Sequence, residues 1–302
     1  MPEINNLSSL LLSVVNRPSQ QIVSAVIGLT VFSDRYHPNI TVAEALLVHL
    51  NSHPEWKAHC LQHIGCSQSS SSDYGASIES LATASRLFLK IGDQIGAARC
   101  MRRSAEPHRL MGKYDEAEVL FRRAIKITSE SEDVEEEAAC WQDFGVLMTT
   151  KEEYPAALQH LTAARQAFRA LGRTVNASIC TEHISLIYIH QGHIDSAASE
   201  LEAVQSQTGQ STRLLGVIRR RQGKPDLAEQ LLERSQTMSR ERGERFGLAE
   251  CSRQYGYLRL DQGRLAEAAT RFEIAHRMFA ELGMREAVED CREELDKLGV
   301  RS

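Results

Sequence analysis

Residues 110–124 read LMGKYDEAEVLFRRA, and this order of small and large side chains recurs along the chain. Aligned on Ala117, the order returns every 40 residues, apart from one step of 31. A large apolar residue follows each aligned position by four, which places both on one helical face. The stretch therefore predicts one helix of a repeating unit. The aligned pairs are Ser77 and Leu81, Ala117 and Phe121, Ala157 and Leu161, Ala197 and Leu201, Ala228 and Leu232, and Ala268 and Phe272.

An upstream partner helix is predicted for each of these helices, because a second small residue precedes each turn by seven positions. A small side chain at that place lets two antiparallel helices approach closely. The small residues are Gly65, Ala105, Gly145, Ser185, Gly216 and Gly256. Glycine also recurs where helices are predicted to end in the left-handed conformation. These glycines are Gly92, Gly112, Gly172, Gly192, Gly223, Gly243, Gly263 and Gly283.

Six of the seven cysteines follow the same period. A disulfide framework has no reason to keep a spacing of 40 residues, whereas a recurring packing position does. The spacing and the odd count predict reduced, buried thiols that pack as small hydrophobes. The spaced cysteines are Cys60, Cys100, Cys140, Cys180, Cys251 and Cys291, and Cys66 stands outside the series.

The pattern of small residue, turn glycine, aromatic, alanine and large apolar residue resembles the tetratricopeptide repeat. The segments FGVLMTTKEEYPAALQHLTAA (144–164) and YGYLRLDQGRLAEAATRFEIA (255–275) match well, and Trp141 stands where the family favours tryptophan. About six repeats are in register. The resemblance implies an all-α, right-handed superhelical solenoid of antiparallel helix pairs, like the 40-residue arrays of kinesin light chains and of signal-transduction ATPases. The step of 31 predicts a short second helix in the fourth repeat.

Three segments are expected. Residues 1–53 are predicted to form an N-terminal helical cap or a degenerate repeat, 54–284 the repeat solenoid, and 285–302 a C-terminal capping helix. Within the first segment, Ile22 to Phe32 is rich in β-branched residues but is interpreted as helix, since helices surround it. Thr41 begins TVAE, which predicts a capping box.

Composition restricts the classes of function. The 302 residues carry a net charge of −5 and 42% hydrophobic residues, which indicates a soluble chain without general affinity for nucleic acid. The longest apolar run is too short to cross a membrane, and no signal peptide is evident. We therefore expect a cytoplasmic protein with neither nucleic-acid nor membrane partners.

Motifs of catalysis and cofactor binding are not found. The sequence holds no H-E-x-x-H, G-x-S-x-G or G-x-G-x-x-G, so no enzyme, catalytic residue, cofactor or metal is predicted. Residues 216–225, GVIRRRQGKP, have the wrong spacing for a phosphate loop. A zinc site was the stronger alternative because several potential ligands crowd one region. They are His49, His53, Cys60, His63 and Cys66.

The family resemblance also implies a binding surface. In tetratricopeptide repeats, the first helix of each repeat lines the concave face, and its second, fifth and ninth positions often meet the ligand. In the third repeat these positions hold Ala139, Gln142 and Val146. The predicted partner-binding residues are Arg99, Arg102, Glu106, Arg109, Gln142, Glu182, Arg213, Arg220, Arg253 and Tyr257.

An arginine-rich face would suit another protein's peptide or helical segment, one with acidic residues. The alternative is that these arginines only pair with glutamates of neighbouring helices. We expect a protein–protein interaction scaffold, with self-association as a further expectation. Charge reversal of Arg102 and Arg213 should leave the helices intact, since neither occupies a packing position. Other hypotheses are a sensor arm of a signal-transduction system of the NACHT or NB-ARC kind and, more distantly, an enzyme or metal-binding protein.

Overall fold

The computed structural model describes residues 2–33, 40–204 and 208–300, and throughout them the secondary structure is helical. The chain forms two compact units, Met1–Gly172 and Arg173–Ser302. The first contains α1 (Pro2–Leu12), α2 (Gln20–Ser33), α3 (Thr41–Leu47), α4 (Pro54–Ser70), α5 (Tyr74–Ile91), α6 (Gln94–Leu110), α7 (Tyr114–Ser131), α8 (Val134–Thr150) and α9 (Tyr154–Ala170). The second contains α10 (Thr174–His190), α11 (Ile194–Glu202), α12 (Gly209–Arg221), α13 (Pro225–Glu241), α14 (Arg245–Asp261), α15 (Leu265–Glu281) and α16 (Arg285–Lys297).

In the first unit, α4 pairs with α5, α6 with α7 and α8 with α9. α2 and α3 pack on α4 around a core that includes Val26, Leu46 and Ile64, and α1 packs on α2 and α3. The helical interpretation of Ile22 to Phe32 is confirmed, because α2 covers it. The capping box at Thr41 is wrong: Ile40 is the N-cap residue of α3, and its side chain makes no capping hydrogen bond.

In the second unit, α11 has only 9 residues, whereas α13 and α15 have 17 each. The short second helix predicted for the fourth repeat is therefore confirmed. The last helix, α16, packs against α15 through Cys291 and Leu295, both of which are buried. The all-α class with antiparallel helix pairs is confirmed. The division into 1–53, 54–284 and 285–302 stays a prediction.

The recurring small residues lie where two helices touch. A side chain added at Gly145 would put its Cβ 2.6 Å from Cγ of Leu161, and one at Gly65 would be equally close to Leu81. Such contacts are too short for real atoms, so in these two pairs the helices approach as closely as they do because glycine has no side chain. The order of small and large residues in the sequence is thus a packing code, as predicted.

The turns between helices use the left-handed conformation. Among the predicted glycines, Gly92 has φ 85° and Gly192 has φ 78°. Ser72, Glu132 and Glu152 take the same conformation, with φ of 60–63°, at places where the repeat lacks glycine. The repeat geometry therefore imposes the left-handed turn even on residues that pay a steric penalty there.

The spaced cysteines are buried in the helix packing. Cys60, Cys100, Cys140, Cys180, Cys251 and Cys291 are inaccessible to solvent, and Cys66 is half-buried. The prediction that the spaced cysteines are packed in the interior is confirmed, and that they are reduced stays a prediction.

Burial should make these thiols unreactive. It raises the pKa of Cys100 and of Cys140 to about 12, and the thiolate is the reactive species. We expect both to react slowly with a thiol reagent in the folded protein and rapidly in denaturant, as measured residue by residue with mass spectrometry. Cys66 is the internal control and should react first. Rapid native labelling of the two buried thiols would contradict the packing described here.

No helix within the described residues is both long and apolar enough to span a bilayer.

Candidate partner-binding faces

In the first unit, α6 lies between α4 and α8 and carries three of the predicted arginines, of which Arg99 and Arg102 reach α8 together. Both engage one carboxylate of α8: Nε of Arg99 lies 2.9 Å from Oε2 of Glu136, and Nε of Arg102 lies 2.7 Å from Oε1. Nη1 of Arg102 also donates to Oδ2 of Asp143 at 2.6 Å. The arginines therefore link the first helices of successive repeats.

Arg102 is a buried part of this network. Only 8% of the residue is exposed. Burial disfavours its charge, but Asp143 and Glu136 outweigh that effect and hold the pKa of Arg102 above its usual value. Burial likewise disfavours the charge of Glu136, yet Arg102 and Arg99 hold its pKa below the usual range. The expectation that Arg102 can be reversed without structural cost is wrong.

The other predicted residues of α6 form a pair at the helix surface. Arg109 donates through Nη2 to Oε1 of Glu106 at 2.7 Å and through Nε to Oε2 at 3.0 Å. A longer bond of 3.5 Å runs from Nη1 of Arg109 to Oγ1 of Thr150 on α8. Gln142 is half-buried on α8, on the same helix as Thr150. These side chains line one row beside the buried network.

The second unit contains a similar chain of ion pairs. Nη1 of Arg213 on α12 lies 2.6 Å from Oε2 of Glu250 on α14. The other oxygen of Glu250 holds Arg253 at 2.7 Å, and Arg253 reaches Asp290 on α16 at 2.9 Å. Arg213 is buried, so the expectation that it can be reversed freely is also wrong.

Arg220, Tyr257 and Glu182 complete the predicted set. Arg220 lies 2.7 Å from Asp261 and stacks over the ring of Tyr257, with its guanidinium carbon 5.5 Å from the ring centroid. Glu182 is almost inaccessible, and burial raises its pKa. Thr208, the N-cap residue of α12, donates its hydroxyl to Glu182. Glu182 therefore supports the start of α12 and is closed to a partner.

The sequence left open the alternative that these arginines pair with acids of neighbouring helices, and Arg99, Arg102 and Arg213 do so. The sequence analysis did not assign the individual carboxylate partners, yet their spacing carries a signal. Five of the predicted arginines bind an acid that lies 37 or 41 residues further along the chain. These offsets are three residues less and one residue more than the repeat length of 40. Those offsets place the partner on the facing side of the next first helix. The pairs 37 apart are Arg99–Glu136, Arg213–Glu250 and Arg253–Asp290, and those 41 apart are Arg102–Asp143 and Arg220–Asp261.

The proposed zinc ligands do not converge. Cys60 is buried and donates to the carbonyl of Ala43, and His53 stacks on Trp56. Across the ranges that the structure describes, no three His, Cys, Asp or Glu residues form a group that could hold a metal ion. In 216–225, the arginines are held by protein groups: Arg221, for example, donates to the carbonyl of Ile189 at 2.8 Å.

The comparison with protein families decides what these repeats are. The model of the family described as tetratricopeptide repeat matches residues 97–170 and 207–281. The chain carries tetratricopeptide repeats. The first matched segment covers α6 to α9, and the second covers α12 to α15. No match was found among curated proteins.

Several solved structures have a similar fold over nearly the whole length of this chain. A Rap protein complexed with competence and sporulation factor is 13% identical, with a TM-score of 0.65, over 99% of this chain and 98% of that one. The Rap conjugation gene regulator of plasmid pLS20, in complex with a Phr peptide, is 11% identical, with a TM-score of 0.65, over 99% and 96%. The apo quorum sensor NprR from B. thuringiensis is 12% identical, with a TM-score of 0.59, over 98% and 99%.

Proposed function

We propose that the protein is an interaction scaffold whose first helices bind a peptide or helical segment of another protein. The observation that carries this proposal is the ion-pair network of Arg99, Arg102 and Glu136, which fixes α6 against α8. A surface held rigid before binding loses less conformational entropy when a partner arrives. Binding is its whole mechanism, without bond chemistry.

The structural relatives support a peptide as the partner. Two of them were solved with a bound peptide or factor, and all share this fold. Tetratricopeptide repeats offer a peptide an elongated row of side chains, which suits recognition by several weak contacts. We infer a partner that is another protein rather than a nucleic acid or membrane, met in the cytoplasm; self-association remains a further proposal.

In the first unit, the contact residues we propose are half-exposed side chains on α6 and α8. They are Arg99, Glu106, Arg109, Gln142 and Val146. Arg102 is buried under these side chains and holds α6 against α8 through Glu136 and Asp143. In the second unit, Arg220, Arg253 and Tyr257 are proposed as contacts, while Arg213 and Glu182 position α12. An acidic partner is favoured because Arg99 uses only Nε for Glu136 and keeps its Nη groups for a carboxylate.

Val146→Glu tests the face on α8. We expect this variant to lose most of the peptides that the wild-type protein enriches from a displayed random library, since it places a bulky charge in the contact row. The variant loses the apolar contact that Val146 would make with the peptide, and the new carboxylate repels acidic residues of the peptide. Together these effects should weaken binding about tenfold or more. Sequencing the enriched peptides also tests whether acidic residues are preferred.

Val119→Glu is the matched control. Val119 lies on α7, the second helix of its pair, and is 56% exposed. The same substitution there should leave enrichment unchanged. If Val146→Glu enriches the same peptides as wild type, or if both variants lose them, the proposed face is wrong.

The sensor-arm alternative is favoured by one observation, the fold shared with the quorum sensor NprR over 98% of this chain. A sensor would differ from a plain scaffold in its response. A peptide selected as above would change the protein's affinity for a second macromolecule, because two sites would be coupled.

A further inference from the structure

Four basic side chains lie where α4 packs against α6. Of these four, only Arg99 belongs to the predicted partner-binding set. His59 and His63 lie one turn apart on α4, and Arg99 and Arg103 lie one turn apart on α6. Because α4 packs against α6, the charges of Arg99 and Arg103 act on the imidazole of His63 together with that of His59. These four residues are called the basic cluster below.

The nearby carboxylates are already occupied. Oε1 and Oε2 of Glu136 are held by Arg102 and Arg99, and both oxygens of Glu106 are held by Arg109. Apart from Glu136, which Arg99 shares with Arg102, these carboxylates leave the basic cluster without an acid.

Several donors of the cluster have no protein acceptor. Arg99 engages Glu136 through Nε alone, so its two Nη groups stay available. Arg103 is exposed, and within the described part of the chain neither it nor His63 makes a hydrogen bond or ion pair. The ring of His59 packs edge to face on the ring of Phe88 on α5, with 5.0 Å between the ring centroids. Unpaired donors and uncompensated positive charge together favour an anionic ligand.

We propose that the basic cluster binds an acidic side chain of the partner segment, as a subsite specific for carboxylate. This inference rests on the proposed function, because it concerns the same row of first helices. The free Nη edge of Arg99 can hold both oxygens of one carboxylate, and Arg103 can approach from the next turn of α6. His59 and His63 supply donors from α4.

The imidazole of His63 makes this subsite sensitive to pH. Burial, then His59, Arg103 and Arg99, lowers the pKa of His63, so this imidazole is neutral near pH 7. No charged group of α2, α3 or α5, among the described residues, contributes to that shift. A bound carboxylate reverses the effect by favouring the protonated ring. Binding therefore takes up a proton, and affinity rises as the pH falls through the mildly acidic range, where glutamate is still ionised.

Tetraglutamate is the probe for this subsite, with tetraglutamine as its uncharged counterpart. The full chain, with histidines labelled for NMR, would be titrated with each peptide at pH 7.5 and 5.5. We expect tetraglutamate alone to shift the His59 and His63 signals and to bind about threefold to tenfold more tightly at the lower pH. Raising salt should weaken the interaction, since its charges are exposed.

Arg103→Gln and Arg123→Gln provide a matched pair. Both arginines are exposed, but Arg123 lies on α7. Arg103→Gln should weaken tetraglutamate binding about tenfold, because a charged hydrogen-bond donor is lost, whereas Arg123→Gln should not. His63→Gln should abolish the pH dependence while leaving binding at pH 7.5.

Three results would overturn the proposal. They are equal binding of both tetrapeptides, equal weakening by the two arginine variants, and binding of a phosphoserine peptide of the same length more than about tenfold tighter than tetraglutamate. The experiments can contradict the acidic subsite and the scaffold function independently of each other. If tetraglutamate does not bind while Val146→Glu still loses the library peptides, only the acidic subsite is wrong.

Discussion

Replacing Arg102 by glutamate is expected to destabilise the first unit by about 3–5 kcal/mol, the cost of breaking a buried ion pair. Glu136 would then keep only Arg99 as its cation, Asp143 would lose the guanidinium of Arg102, and both would face a new anion. Glu136, which is buried, should take up a proton to relieve the repulsion. The defect should therefore be larger at pH 8 than at pH 5.

Arg122→Glu is the control for this effect. Arg122 is 65% exposed in its side chain and pairs one turn away with Glu118 on the same helix. Such surface pairs contribute about 1 kcal/mol or less. Thermal and urea unfolding, followed by circular dichroism, would compare the two variants. If Arg102→Glu unfolds like wild type, the buried network does not hold α6 to α8.

Ala157→Arg is expected to cost about 3 kcal/mol or more, because it both overpacks a tight contact and buries a charge. Ala157 is inaccessible to solvent. Its carbonyl oxygen lies 3.3 Å from the place of a Cβ at Gly145, so α8 and α9 leave no room at this level. The arginine could reach solvent only by forcing the two helices apart.

Ala170→Arg, at the exposed end of the same helix, is the matched control. A cation in the last turn of a helix is neutral or slightly favourable, so this variant should melt like wild type. Thermal unfolding would separate the two by about 5 °C or more, given the size of the chain. Equal melting of the two variants would mean that the register of the repeats is wrong.

The helix pairs could be predicted from the sequence because their packing is local. Gly145 and Leu161 are 16 residues apart and belong to one repeat, so both the contact and its recurrence are written in a single period. The same holds for the left-handed turns and for the buried cysteines. Ser72 and Glu132 show the limit of this reading, since the fold gives them a glycine's conformation that their identity does not suggest.

The candidate site could be predicted only in part. The sequence placed Arg99, Arg102 and Arg109 on one helix face, and the structure shows them there. It could not say whether each charge faces a partner or a neighbouring repeat, and that question decides their role. Arg102 proved to be buried and paired, whereas Arg99 keeps donors free.

The sequence by itself determined the repeat, its register, the short α11 and the positions that pack, because periodic spacing translates directly into helix faces and helix pairs. Only the tertiary structure decided which charges are neutralised, as in Arg102 with Glu136 and Asp143, and which remain available, as in Arg103 beside His63. The physical reason is that an ion pair depends on distances of a few ångströms between side chains of different repeats. Those distances follow from how the helices stack.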